Sequence, residues 1–214
     1  HIGAVDAEKV SLNKDISELY GAKIVVVHES TKSLLPAMAS ALRSWQNNPD
    51  AMYVVGSVAG PSPYPRMVRT WASVIGRIAK QQFKQITGKV PSTLFCVCGG
   101  GSNLMSMAYP LLKDNTEIFA VESAGEGIPT GRHGATILGG GKMGILLGFK
   151  SKVVMKSAQI AESLTEASGL DFAAVGPEVS YLHDIGRIKF RSTTDLEAKK
   201  TFLMCCEKLG IVPA

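Results

Sequence analysis

The residues best suited to chemistry in this chain form the run Gly99-Gly100-Gly101-Ser102-Asn103. The run follows an apolar stretch, residues 93–98, and precedes a helical pattern that begins at Leu104. Glycines let a backbone approach an anion closely, and the free N–H groups and positive dipole of a helix's first turn attract negative charge. The order of strand, glycine turn and helix therefore predicts a phosphate site, to which Ser102 and Asn103 add side-chain donors.

The glycine run alone does not identify the phosphate, because such a run is also typical of a simple tight connection. It is not a Walker loop, since no Gly-Lys-Ser/Thr follows it. It also lacks the Gly-x-Gly-x-x-Gly spacing of a dinucleotide-binding fold.

Helical and strand patterns alternate along the chain, and this order predicts an α/β fold. Strands are predicted at residues 23–27, 52–55, 93–98 and 117–121, and helices at residues 7–20, 36–45, 103–112 and 194–209. Such an alternation gives a mostly parallel sheet with helices on both faces, which binds ligands at the carboxyl ends of its strands. The glycine run lies at one of those ends.

Two further segments carry structural predictions. Apolar residues recur at spacings of three and four between Met67 and Ile86, which predicts a helix with one buried face. Residues 125–148 are rich in glycine and contain Arg132, His133 and Lys142, which predicts a long loop region with a hairpin beside a site. His133 and His183 are interpreted as structural rather than catalytic, and Lys142 as a surface lysine.

The composition limits the function classes. The chain has 214 residues, 45% of them apolar, and a net charge of +5 spread along its length, so we expect a globular protein that does not bind nucleic acid. No apolar stretch approaches the roughly 20 residues that cross a bilayer, and the amino end lacks a signal-peptide layout, so we expect a cytoplasmic location. The four cysteines are expected to be reduced packing residues.

Several phrases, taken together and in order, resemble the β chain of tryptophan synthase. The phrases, which span essentially the whole chain, are residues 56–65, 93–103, 130–135, 168–172, 175–178 and 207–214. The resemblance implies a pyridoxal-phosphate enzyme of fold type II that joins L-serine and indole into L-tryptophan. It also implies a division into part of an amino-side, or communication, domain at residues 1–60 and a cofactor-phosphate-binding domain at residues 61–214.

The resemblance also implies roles for individual residues. Gly99, Gly100, Gly101, Ser102 and Asn103 would hold the cofactor phosphate. Asp171 would meet the substrate hydroxyl and help to close the site, and Lys9 stands where the family has the arginine that pairs with this aspartate. The carbonyls of Gly99, Phe172 and Ala174 would bind a monovalent cation, and Glu122 is expected to be structural.

The chain departs from the family pattern in ways that bear on activity. Neither the His-x-Gly-x-His-Lys phrase of the Schiff-base lysine nor the Gly-Ala-Gly phrase of a site glutamate occurs. We therefore expect a fragment or truncated relative that does not catalyse the reaction alone, and that self-associates through apolar surface. A homodimer is expected for the intact form, whereas Ile16, Glu18 and Leu35-Pro36 replace family residues in the segment facing the α subunit and argue against that partner.

Two other functions stay open from the sequence. One is a related pyridoxal-phosphate enzyme that acts on another hydroxy-amino acid, which would differ in its acceptor pocket. The other is a non-catalytic module that keeps the phosphate-binding loop and pairs with another chain.

Overall fold

The computed structural model describes residues 1–213 and divides into two compact units, residues 1–55 and residues 56 onward. Among these residues, no helix is both long enough and apolar enough to cross a membrane.

The first unit is mainly helical. Its elements are β1 (Ile2–Gly3), α1 (Ala4–Lys9), α2 (Ser11–Leu19), β2 (Val26–Val27) and α3 (Leu34–Gln46). The short strands β1 and β2 pair in parallel, with Ile2 opposite Val26. The helix predicted at residues 7–20 is confirmed as α1 and α2, and Gly21 follows with the left-handed φ of +85° that ends such a helix.

The two strands predicted in this unit are largely wrong. Only Val26–Val27 of residues 23–27 is a strand, and residues 52–55 form no strand. Met52 and Val54 are 87% and 84% exposed. An apolar run becomes a strand only where a neighbouring strand accepts its backbone hydrogen bonds, and within residues 1–55 the one ladder joins β1 to β2.

The second unit contains the remaining helices and strands. In chain order they are α4 (Tyr64–Ala72), α5 (Val74–Thr87), β3 (Thr93–Val97), α6 (Ser102–Ala108), β4 (Glu117–Ser123), β5 (Lys142–Leu146), β6 (Phe149–Val153), β7 (Met155–Lys156), β8 (Gln159–Ile160), α7 (Pro177–Asp184), β9 (Lys189–Thr193) and α8 (Asp195–Leu209).

A three-stranded parallel sheet in the order β3-β4-β9 organises this unit. Cys96, Ala120 and Phe190 lie side by side across the three strands and are buried. They belong to the core cluster that also contains Leu104 and Met105 of α6. The predicted α/β class with a parallel sheet is confirmed. Strand β3, helix α6 and strand β4 form a β-α-β unit, and the glycine run lies between β3 and α6, at the carboxyl end of β3. Strand β9 was not predicted from the sequence.

The apolar stripe between Met67 and Ile86 was predicted to be buried, and this prediction is wrong. Trp71, Ile75 and Ile86 are 66%, 56% and 83% exposed. The pair α4 and α5 instead faces α6 through small residues: a Cβ added at Gly76 would lie 2.5 Å from the carbonyl oxygen of Ser106. Close approach of the backbones needs small side chains, so the bulky stripe lies on the opposite, solvent-facing side.

Other predictions for this unit are confirmed. The glycine-rich region, residues 125–148, includes the first strand and the turn of an antiparallel hairpin, whose second strand, β6, follows it directly. Thr194 and Glu197 form the predicted capping box at the start of α8, and Gly210 ends this helix with a φ of +62°. All four cysteines are free, and Cys96 and Cys98 are buried.

Candidate functional site

The glycine run forms a turn that connects the end of β3 to the start of α6. The ladder between β3 and β4 continues to Cys98, whose N–H donates to the carbonyl of Val121 at 2.8 Å. The chain then turns through the three glycines, and α6 begins at Ser102. Gly101 adopts a φ of +104°, a conformation that side-chain-bearing residues rarely take, so this turn requires glycine at that position.

The turn presents a row of unused backbone donors. The N–H groups of Gly99 to Asn103 have no hydrogen-bond acceptor among residues 1–213. Gly99 and Gly101 are buried, Gly100 and Ser102 are half-buried, and Asn103 is exposed. Burying an N–H group without an acceptor costs about 1–3 kcal/mol, so an acceptor from outside the chain would be stabilising here.

The segment of residues 56–59 packs directly over this turn. A Cβ added at Gly100 would lie 3.1 Å from Ser57 Oγ and 3.2 Å from the Cβ of Ala59. A Cβ added at Gly101 would lie 2.6 Å from Val179 Cγ2. The glycines are therefore needed for close packing as well as for backbone conformation. This covering segment was not predicted, because contacts between residues more than 40 positions apart leave no periodic signal in the sequence.

The Ser102 hydroxyl has two partners within the protein. It donates to the carbonyl of Gly56 at 3.0 Å and accepts the N–H of Val58 at 3.1 Å. Ser102 thus anchors the covering segment to the first residue of α6. Its side chain has one remaining oxygen lone pair, so an anion at this turn would depend on the backbone donors more than on this hydroxyl.

A second anchor holds the turn from the side of α7. The N–H of Gly176, the residue before α7, donates to the carbonyl of Gly100 at 2.8 Å. A Cβ added at Gly176 would lie 2.6 Å from the carbonyl oxygen of Val58, so this position also requires glycine. The turn is fixed between two segments that the sequence separates widely.

Two buried groups lie beneath the turn. Glu122, near the end of β4, is 1% exposed and accepts the N–H groups of Ile137 and Leu138 at 2.7 and 2.9 Å. Burial raises the pKa of Glu122 to about 7, and the backbone hydrogen bonds oppose that rise. Burial and the nearby Glu122 raise the pKa of the Cys98 thiol, which keeps it protonated and unreactive. The expected structural role of Glu122 agrees with these contacts.

His133 and His183 pack against other residues, whereas Lys142 lies at the surface. His133 is buried, burial lowers its pKa, and a Cβ added at Gly139 would lie 2.3 Å from its ring. His183 Nδ1 lies 2.7 Å from Lys152 Nζ, and the ring edge packs on Phe190. Lys142 is exposed, at the first position of β5 rather than in a loop.

Comparison with curated proteins shows what the chain is similar to. No protein-family model matches the chain. Over its full length the chain is 42% identical to the tryptophan synthase beta chains of Methylobacterium nodulans and Pseudomonas syringae pv. tomato, and 41% identical to that of Dinoroseobacter shibae. Along its whole length the chain is therefore similar to tryptophan synthase β chains. It spans about half the length of these curated relatives, 53% of each.

Asp171, which the resemblance matches to the family's aspartate, lies in a loop that contacts the glycine turn. The loop begins with a short 3-10 turn, Ser168–Leu170, and a Cβ added at Gly99 would lie 2.9 Å from Leu170 Cα. Lys9 lies exposed at the end of α1 in the first unit. The pairing of Lys9 with Asp171 stays a prediction.

The three carbonyls aligned with the family's cation ligands carry no strong hydrogen bond. The carbonyl of Gly99 has only the Cys98 thiol, at 3.6 Å, and among residues 1–213 no N–H group donates to the carbonyls of Phe172 or Ala174. Phe172 and Ala174 are buried. Within the described part of the chain, no cluster of three histidine, cysteine or carboxylate side chains could hold a metal ion.

Proposed function

We propose that the chain supplies the cofactor-phosphate half of a pyridoxal-phosphate enzyme that makes L-tryptophan from L-serine and indole. The observation that carries the proposal is the row of unbonded N–H groups from Gly99 to Asn103 at the carboxyl end of a parallel strand, in a chain similar to tryptophan synthase β chains. A parallel α/β sheet binds ligands at that end of its strands, which supports the same location.

The turn fits a phosphate group by its chemistry. Five consecutive backbone donors, two of them on buried glycines, lack acceptors among residues 1–213, and a phosphate offers several strong acceptor oxygens. Glycine at position 101 keeps both the φ and the space that the turn needs. When bound, pyridoxal phosphate supplies an electron sink for elimination and addition at the substrate's β-carbon.

The remaining predicted residues would act around that phosphate. We infer that Asp171 orients the substrate hydroxyl, and that Lys9 is its cationic partner. Lys9 would give a point-charge contact in place of the two-pronged contact of an arginine, so closure over the substrate would be weaker. The backbone carbonyls of Gly99, Phe172 and Ala174 would hold a monovalent cation, because they are oxygen ligands without N–H donors.

The partners follow from the same proposal. L-serine and indole are the proposed substrates, and a homodimer is the proposed intact form. The substitutions at Ile16, Glu18 and Leu35-Pro36 still argue against an α subunit. We propose that residues 1–60 contribute to the communication domain and residues 61–214 to the phosphate-binding domain.

Cofactor binding by the purified chain tests the proposal. Pyridoxal phosphate should bind and be displaced by inorganic phosphate, whereas pyridoxal, which lacks the phosphate, should bind at least tenfold more weakly. Gly101→Ala should weaken pyridoxal-phosphate binding by tenfold or more. Gly88→Ala is the matched control, because Gly88 also has a positive φ, +74°, but has no atom within 4 Å of an added Cβ.

The outcomes separate the alternatives. Equal affinity for pyridoxal and pyridoxal phosphate would contradict phosphate recognition by the turn. Tryptophan formation from L-serine and indole by the purified chain would contradict the expectation that these residues do not catalyse the reaction alone.

A further inference from the structure

A surface cavity in the second unit lies apart from the glycine turn. It has a volume of about 360 Å³, and its walls include Pro61, Pro63, Pro65, Pro177 and Phe149. None of the residues 99–103 lines it. Ligand pockets of roughly 300–1,000 Å³ hold small organic molecules, so this volume is sufficient for one.

The charged side chains on the cavity wall do not neutralise one another. Arg66 and Lys150 both line the cavity, and neither has an ion pair or side-chain hydrogen bond within residues 1–213. Glu178 also lines it, but its carboxylate is held by Arg69, with Nε 3.0 Å from Oε2. The cavity therefore carries two cations that lack a carboxylate partner.

Arg66 is distinct among the seven arginines of the chain. In the described residues the other six have a carboxylate, hydroxyl, carbonyl or aromatic ring against the guanidinium group: Arg43, Arg69, Arg77, Arg132, Arg187 and Arg191. A guanidinium group is suited to a planar carboxylate or a phosphate, which it contacts through two N–H groups. Arg66 thus offers this geometry to a ligand rather than to the protein.

We propose that this cavity binds a small organic anion, a phosphate or carboxylate group carried on an apolar or aromatic body. Arg66 and Lys150 contact the anionic group, and the proline rings and Phe149 pack against the body. Proline side chains have little conformational freedom to lose, so the apolar wall is already ordered before binding. The site does not depend on the proposed enzymatic function, because it shares no residue with the glycine turn.

Calorimetric titration of the 214-residue chain with phenyl phosphate tests the proposal, with benzoate, inorganic phosphate and phenol as comparison probes. Phenyl phosphate should bind at least fivefold more tightly than inorganic phosphate, and phenol should not bind measurably. Comparing the affinities for benzoate and phenyl phosphate shows whether the cavity prefers a carboxylate or a phosphate group. Arg66→Gln should weaken phenyl phosphate binding by tenfold or more, and Lys150→Gln by about fivefold.

Two controls keep the result specific. Lys156→Gln removes one exposed positive charge elsewhere and should leave the affinity unchanged. Arg43→Gln, which removes an exposed arginine of the first unit that pairs with Glu29, should also leave it unchanged. Unchanged affinity in both Arg66→Gln and Lys150→Gln, or no binding at about 10 mM probe, would overturn the proposal.

Discussion

A single carbon atom added at Gly101, in the variant Gly101→Ala, tests the geometry of the glycine turn. Gly101→Ala forces alanine to a φ of +104°, which costs about 1–2 kcal/mol relative to glycine. The new Cβ would lie 2.6 Å from Val179 Cγ2, whereas carbon atoms pack at about 3.5–4.0 Å, so one of them must move by about 1 Å. Such overpacking costs about 1–3 kcal/mol.

Alanine also lowers the conformational entropy of the unfolded chain, which offsets about 0.4–1 kcal/mol of these costs. The expected loss in unfolding free energy is therefore about 2–4 kcal/mol. Gly88→Ala, which has a positive φ but open space, should lose only about 1 kcal/mol. Both variants are measured by urea unfolding followed by far-ultraviolet circular dichroism.

A double-mutant cycle isolates the contact with Val179. Val179→Ala removes the methyl group that the new Cβ would meet, so the double variant should be at least 1 kcal/mol more stable than the sum of the two single changes predicts. The reasoning is refuted if Gly101→Ala costs no more than Gly88→Ala, or if the cycle shows no coupling.

Two further predictions concern the buried carboxyl of Glu122 and the half-buried guanidinium of Arg187. Burial raises the pKa of Glu122 from 4.5 to about 7, so the folded state keeps a proton that the unfolded state releases. The free energy of unfolding should therefore fall by up to about 3 kcal/mol as pH rises from about 4.5 to about 7. In urea unfolding at pH 5 and pH 8, Glu122→Gln should show a smaller change in unfolding free energy than the unmodified chain. An equal change in the two proteins would contradict the raised pKa of Glu122. Arg187 donates to four carbonyls, those of Leu111, Leu112, Asp114 and Thr116, so Arg187→Lys should lower the unfolding free energy by about 2–3 kcal/mol. Arg191→Lys, at an exposed arginine, should cost under about 1 kcal/mol, and an equal loss in the two variants would rule out the carbonyl contacts as the cause.

Features set by local sequence were predicted well. The capping box of Thr194 and Glu197 and the left-handed Gly210 involve residues within one helical turn of each other. The turn from β3 to α6 was predicted because an apolar run, three glycines and a helical pattern follow one another directly. Each depends on backbone preferences that the neighbouring residues alone determine.

Predictions that depended on burial failed. The stripe that includes Trp71, Ile75 and Ile86 has a helical period and forms helix, but it faces solvent because Gly76 provides the close contact with α6. Residues 52–55 have strand propensity without a strand beside them. A periodic pattern indicates which residues share a face, and it does not indicate which face meets another element.

The amino-acid sequence by itself determined the alternation of elements, the glycine turn at a strand end and, through its phrases, the resemblance to tryptophan synthase β chains. Only the tertiary structure decided that Ser102 anchors residues 56–58, that Gly176 holds Gly100, and that Arg66 and Lys150 line one cavity. The physical reason is the separation along the chain of the residues that interact. Backbone conformation responds to near neighbours, whereas the partner of a hydroxyl, an amide or a charge is fixed only when distant segments pack together.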